Sequence, residues 1–233
     1  MYQLTLPLGF SKLDPSGRLS LPGLTALFQD AAFLHLEEIG RGLRWQQQRD
    51  LAWMVCRWRI ALLQPMPEAG ERITVCTWVS SQAYALVCRG FSLKNQAGDL
   101  LAAGDSRWVL CRRPTMQIVW AKEQAAPENE PIPSLLPDDF PTRAARISRG
   151  EVLPGCFATR ELLDLNGHVN NVRSLELCLR ALPENLPLRG LILDYHAPLM
   201  PGAEITPLRQ KTAQGWAVTL CSQEQSCVSG LFF

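Results

Sequence analysis

What the 233 residues lack narrows the field first. No apolar run approaches the ~18 residues that a membrane-crossing helix requires, so no span is expected. Charge of one sign is also missing: 23 Lys+Arg face 22 Asp+Glu, a formal charge of +1, and no lysine or arginine run forms a basic stripe. Nucleic acid is therefore not an expected partner, because the phosphate-driven part of its binding needs such a field. There are three histidines, His35, His168 and His196, with no HExxH spacing, and the eight cysteines contain no CxxC pair. Neither a zinc site nor any other metal or redox cofactor is expected. The cysteines sit in apolar or strand-like runs, as buried free thiols in a reducing compartment would. Residues 1–14 show no charged-then-apolar leader pattern, and the expected location is the cytoplasm.

What is present describes a globular protein, 47% hydrophobic and 19% charged. From 121 to 146 the chain carries Pro127, Pro131, Pro133, Pro137 and Pro141, each of which removes a backbone donor and forbids regular helix or central strand. The reading is a linker at 122–146 between an N-terminal domain, 1–121, and a C-terminal domain, 147–233.

The two flanks repeat. Leu13-Asp14-Pro15-Ser16-Gly17-Arg18-Leu19-Ser20 aligns with Leu163-Asp164-Leu165-Asn166-Gly167-His168-Val169-Asn170, and each copy then enters a segment with helical spacing. In the first, Leu24, Leu27, Phe28, Ala31, Leu34 and Ile39 form the apolar stripe before Gly40; in the second, Val172, Leu175, Cys178 and Leu179 do so before Pro183. Further on, 67–74 resembles 201–206, with Pro67 set against Pro201, and strand-like runs follow at 72–80, 84–93 and 100–111 and again at 204–210, 216–222 and 226–233. The turns between them are short, which indicates antiparallel meanders. One helix cannot cover a large sheet unless the sheet curls around it. The expected class is α+β: two antiparallel sheets, each wrapped on a central helix, in tandem.

Asp164-Leu165-Asn166-Gly167-His168-Val169-Asn170-Asn171 resembles the D-x-N-x-H-V-N-N signature of plant and bacterial fatty acyl-ACP thioesterases. The likeness extends to residues 10–40, to Gly-Asp-Ser-Arg-Trp-Val-Leu at 104–110, and to the stretch from Leu193 to Gly202. It implies a tandem (double) hotdog fold and hydrolysis of the thioester between a fatty acyl chain and acyl carrier protein (ACP). It also implies Asp164, Asn166 and His168 as the polar catalytic residues. One departure stands out: where plant members have a Glu-Cys pair beyond the tyrosine matching Tyr195, this chain has Pro198-Leu199. A hotdog acyl-CoA thioesterase and a catalytically silent acyl-thioester binding protein are the alternatives.

The motif supports that chemistry on its own terms. An imidazole is the side chain that ordinarily exchanges a proton near neutral pH, so His168 can deprotonate water. Asn166 can position the water or donate to the oxyanion, and Asp164 can orient His168 or act as base. The helix expected to begin near 170–172 offers open N–H groups to the same oxyanion. The first copy has Ser16 and Arg18 in place of Asn166 and His168. Its Asp14 reads as a turn residue, and its helix as a wall for an acyl chain. His35 reads as a satisfied core histidine and His196 as strand surface; Cys156 and Cys178 have no base neighbour in sequence. Against an acidic carrier protein the candidate contacts are Arg41, Arg44, Arg49 and Arg173, while other arginines, Arg57 and Arg59 included, read as a solvated face.

Overall fold

The computed structural model describes residues 1–113, 115–120 and 132–233. Residues 122–131 of the expected linker lie outside the described residues, and 132–146 contain no helix or strand. The chain divides into two compact units, Met1–Val55 with Ile60–Asp138 and Cys56–Arg59 with Asp139–Phe233.

In the first unit β1 (Tyr2–Pro7) precedes α1 (Leu21–Glu38) and the short α2 (Leu43–Gln47). Then come β2 (Leu51–Leu62), β3 (Arg72–Ala83), β4 (Leu86–Lys94), β5 (Leu100–Arg112) and β6 (Ile118–Val119). The sheet runs β1-β3-β4-β5-β2, with β6 on β5, and its β1–β3, β3–β4, β4–β5 and β5–β6 pairs are antiparallel. Strand β1 buries alternate residues, as a strand with one face on a core must. Ser20 caps α1 by accepting from the Gly23 N–H at 3.0 Å, and Pro22 fills its first turn. The helix lays Leu24, Leu27, Phe28, Ala31, Ala32 and Leu36 on the sheet, with Phe28 stacked on Phe91 at 5.1 Å between centroids. Leu34 and Ile39, assigned to the same stripe from sequence, are exposed. At 100° per residue Leu34 falls about 20° beyond Leu27, on the edge of the buried arc, and Ile39 is the C-cap residue, past the last turn that the sheet covers. Gly90 pairs with Trp78, whose indole would lie 2.4 Å from a Cβ at that position, so only glycine lets the ring cross the strand.

The second unit repeats the plan with less helix. It comprises β7 (Glu151–Val152), β8 (Cys156–Phe157), α3 (Asn171–Arg180), β9 (Gly190–Tyr195), β10 (Glu204–Thr212), β11 (Gly215–Ser222) and β12 (Gln225–Phe232). Its sheet order is β9-β12-β11-β10-β7, antiparallel throughout, with β8 also on β10. Leu175, Leu177 and Cys178 carry α3 into the core.

Alternation along β9 splits two polar residues between the faces. Tyr195 turns toward α3, where its hydroxyl donates to the Asn171 carbonyl at 3.1 Å. Asp194 turns to the other face and lines up with Ser229 and Thr219 across three adjacent strands, all three buried. The last residues of the expected linker, with Ile147 after it, belong to this unit and cover the row: the Ala144 N–H donates to Asp194 at 3.0 Å, the Ile147 N–H to Thr219 at 3.4 Å, and Phe140 packs on Phe233 at 5.2 Å. Arg57, read from sequence as solvated, is instead buried, and its Nε donates to Asp194. Burial is tolerable for that guanidinium because the carboxylate is buried with it.

Candidate functional site

The two motif turns have the same backbone. Asp14 and Asp164 each accept with one carboxylate oxygen from the N–H groups two and four residues on: 2.8 and 3.2 Å to Ser16 and Arg18, 2.8 and 3.3 Å to Asn166 and His168. The Asp14 and Asp164 N–H groups donate in return to the carbonyls of Arg18 and His168. The fifth-position glycines, Gly17 and Gly167, sit at φ +83° and +77°, which a side chain would strain. A single 3-10 turn precedes each, at Phe10–Lys12 and Arg160–Leu162, and Ser20 and Asn170 cap the helices that follow. The repeat register of the later turn is also fixed. Leu19 N–H donates to Pro67, Val169 N–H to Leu199, and Gly70 and Gly202 both take positive φ. Pro67 therefore corresponds to Leu199; the sequence pairing of Pro67 with Pro201 was two residues out.

The copies differ in what their polar side chains touch. In the first, Ser16 Oγ donates to Asp14 at 2.5 Å, while Arg18 reaches the Met66 carbonyl at 2.8 Å and Glu68 at 2.6 Å. In the second, Asn166 Oδ1 is buried with no hydrogen-bond partner among the described residues. The half-buried His168 ring makes no hydrogen bond among them either. The position of Glu68 corresponds in the second copy to an exposed Met200, which has no carboxylate to pair with, and that of Met66 to Pro198, whose carbonyl the His168 ring does not engage among the described residues. Asp164 does not reach the His168 ring: its contact is with the backbone N–H, as Asp14's is with Arg18.

The helix ends differ too. Asn170 Oδ1 takes the Val172 N–H at 2.8 Å, leaving the first-turn N–H groups of Asn171 and Arg173 open beside the motif. In α1 the second helical residue is Pro22, which has no N–H to offer. This contrast was readable from the aligned repeat. Tyr195 was not: its anchoring of the Asn171 carbonyl spans 24 residues. Burial, and then the neighbouring Cys178 thiol, push the Tyr195 hydroxyl well above its ordinary pKa, so it stays a donor. Burial pushes the Cys178 thiol up as well, which disfavours the thiolate a nucleophile needs.

The remaining sequence candidates separate clearly. His35 bonds through Nδ1 to Arg89 at 2.7 Å. His196 is exposed, as read from sequence, on the Asp194 face, and meets Ser229 at 3.1 Å, away from the side on which Tyr195 holds α3. Arg173 is paired with Glu176 on its own helix at 2.8 Å. Arg41 and Arg49 flank the Trp45 ring at 4.8 and 4.9 Å, and Arg44 lies exposed on the same short helix. Among the described residues there is no His/Cys/Asp/Glu cluster suited to a metal, and no helix is long and apolar enough to cross a membrane.

Two helix-on-sheet units, each opened by the same Asp-x-x-Gly turn, make this a double hotdog protein. The sequence model of the acyl-ACP thioesterase N-terminal domain matches residues 1–125, over half the chain, and the chain belongs to that family. That match covers the first copy of the turn and stops short of the Asp164–Asn171 motif. A chloroplastic acyl-[acyl-carrier-protein] hydrolase of Cuphea viscosissima is 25% identical over 192 residues, 76% of this chain and 46% of that protein. A chloroplastic palmitoyl-acyl carrier protein thioesterase of Gossypium hirsutum is 28% identical over 159 residues, 64% of this chain and 38% of that protein. The chain thus spans less than half the length of these relatives. Among solved structures, an acyl-ACP thioesterase of Bacteroides thetaiotaomicron superposes with a TM-score of 0.84 at 19% identity, covering 99% of this chain and 97% of that one. The 12:0-ACP thioesterase of Umbellularia californica gives 0.85 at 18% identity, covering 99% and 95%. At these identities the likeness establishes the fold.

Proposed function

We propose that this protein hydrolyses fatty acyl thioesters, with acyl-ACP as substrate and free fatty acid and ACP as products, through His168, Asn166 and Asp164. The observation that carries the reading is the contrast between two turns of one backbone. The first turn engages Ser16 and Arg18 in structural bonds, and the second leaves Asn166 and His168 unengaged. A buried carbonyl without a partner is costly, and a fold retains such a group where a ligand completes it.

In this mechanism His168 takes the proton from a water that attacks the thioester carbonyl. Asn166 Oδ1 accepts from the same water and so positions it, while the oxyanion forms against the open N–H groups of Asn171 and Arg173, with the positive end of α3 behind them. Collapse expels the thiolate, a good leaving group, which His168 reprotonates. Asp164 acts through the backbone, holding the turn that aims both side chains; Tyr195 holds the first turn of α3 from the sheet. We retain 1–121 and 147–233 as the two hotdog domains and take the cytoplasm as the location, in keeping with eight cysteines that are all free thiols.

The test is free-thiol release from acyl-ACP and acyl-CoA of several chain lengths. Turnover of acyl-ACP that is lost in His168→Ala supports the proposal; faster turnover of acyl-CoA would reassign the substrate. Pro198-Leu199 in place of Glu-Cys favours a second reading, a silent acyl-thioester binding protein. Saturable acyl-ACP binding without thiol release would establish it instead.

A further inference from the structure

Strand β1 forms one edge of the first unit's sheet. β3 lies on one side of it, and among the described residues no strand, loop or helix bonds to the backbone of residues 2–7 from the other. Three observations fix the phase of the ladder. The Leu8 N–H donates to the Glu71 carbonyl in continuation of the β1–β3 register, so the even-numbered residues turn their backbone groups to β3. Thr5 and Thr74 touch through their hydroxyls at 3.0 Å, the close approach of a pair without backbone bonds. Pro7, which has no N–H to give, falls among the odd-numbered residues, as a proline on an outward edge does. The N–H and C=O groups of Gln3 and Thr5 therefore point out of the sheet.

Sheets ordinarily protect such an edge with charge, a bulge or a covering segment. In the second unit β10 carries Glu204, Arg209 and Lys211 and is covered by β7 and β8. Strand β1 has none of these devices: Tyr2–Pro7 contains no acidic or basic residue, and its register with β3 is unbroken. Its inner face is incompletely covered as well. Leu4 and Leu6 are partly exposed, whereas Val75 and Ile73, opposite them on β3, are fully buried. The edge thus offers two donors, two acceptors and a strip of uncovered leucine, which another strand satisfies together.

We propose that two copies of this chain associate through this edge, β1 pairing antiparallel with the β1 of the other copy about a two-fold axis at Leu4. Gln3 then faces Thr5 of the other copy on either side of the axis, giving four backbone hydrogen bonds; on the helix side Leu4 meets its own counterpart and Tyr2 meets Leu6. Pro7 stands beyond the bonded pairs. Antiparallel pairing is self-complementary under two-fold symmetry, so one strand serves as both partners. An acidic carrier protein is not the occupant, because the strand presents no cation to it. No like charges meet along the ladder, and a formal charge of +1 leaves little repulsion between copies. A pair of six-residue strands buries less than the ~1,200–2,000 Å² of a stable interface, so the association is weak and depends on concentration.

The test is sedimentation velocity of the full chain from about 5 to about 500 μM, over which the mass should rise from monomer toward dimer with a Kd of roughly 10–500 μM. Thr5→Pro deletes an outward N–H and no backbone bond to β3, and should weaken association at least about 10-fold in a protein whose circular dichroism is native. A second pair of variants reads the register itself. One preparation carries Gln3→Lys with Thr5→Lys, another Gln3→Glu with Thr5→Glu. Because Gln3 faces Thr5 of the other copy, like charges meet in either preparation alone, and each should stay monomeric; mixed, the two should form a heterodimer at least as tight as the native dimer. A native protein that is monomeric throughout the range, or a self-association that Thr5→Pro leaves intact, would overturn the proposal. So would charged variants that dimerise alone or fail to associate when mixed. If Thr5→Pro does not fold, the charged pair decides by itself.

Discussion

Matched substitutions at equivalent positions of the two turns should separate stability from activity. Arg18→Ala removes an ion pair to Glu68 whose side chains are 43% and 58% exposed, worth about 0–1 kcal/mol at such a surface, and a hydrogen bond to Met66 worth about 1 kcal/mol. The sum, about 1–2 kcal/mol, should lower Tm by roughly 2–8 °C in a chain of this size and leave kcat within a few fold. His168→Ala breaks no hydrogen bond of the described structure, so stability should change by less than about 0.5 kcal/mol while kcat falls about 10²–10⁴-fold. The second pair sharpens the contrast. Ser16→Ala loses the bond to Asp14 and should cost about 0.5–1 kcal/mol, whereas Asn166→Ala deletes a buried unpartnered carbonyl and should be neutral or stabilising. Its kcat should nevertheless fall about 10²–10³-fold. Differential scanning calorimetry and thiol release on the same four preparations decide the matter. Equal activity losses at Arg18 and His168, or a His168→Ala protein that melts far earlier yet turns over normally, would refute the reasoning.

Asp164→Asn keeps an acceptor oxygen for the Asn166 and His168 N–H groups, so turnover within several fold of native is expected; a loss as large as that of His168→Ala would make the carboxylate itself the base. Asp194→Ala should destabilise by about 3–5 kcal/mol in urea titration, because it leaves Arg57 buried without its charge partner; Arg57→Met combined with Asp194→Leu should recover most of the loss. Burial first, then the Arg146 and Arg57 cations, hold His196 below the ordinary imidazole pKa against the opposing pull of Asp194. The folded protein therefore binds this proton less readily than the unfolded chain does. The associated stability is complete above the unfolded value of ~6.5 and is lost as pH falls from there toward the lowered folded value, a loss that His196→Gln should flatten in pH-dependent unfolding. If the arginines around Trp45 contact an acidic carrier protein, Arg44→Glu with Arg49→Glu should raise KM for acyl-ACP and leave KM for an acyl-pantetheine unchanged; equal effects on both would remove that surface from the account.

Much of the architecture is local and therefore legible. The Asp-x-x-Gly turn, its cap and the helix after it are built from residues within about ten positions of one another, so the repeat of Asp14, Gly17 and Ser20 in Asp164, Gly167 and Asn170 carries the backbone with it. The contrast between Ser16–Arg18 and Asn166–His168 is likewise written in the chain. What the side chains at those positions meet is not. Arg18 is engaged because Glu68 is brought to it from 50 residues away, whereas an exposed Met200 stands at the corresponding place in the second copy. Burial of Arg57 depends on Asp194, 137 residues distant. Periodicity also overran the covered surface at Leu34, on the edge of the arc that the curled sheet buries, and at Ile39, where the helix has already ended. Sequence by itself determined the turns, caps, helices and the doubled plan, since short-range hydrogen bonds and hydrophobic spacing specify them. Tertiary structure alone decided which polar groups were satisfied and which were left for chemistry, since that depends on partners supplied from distant segments of the chain.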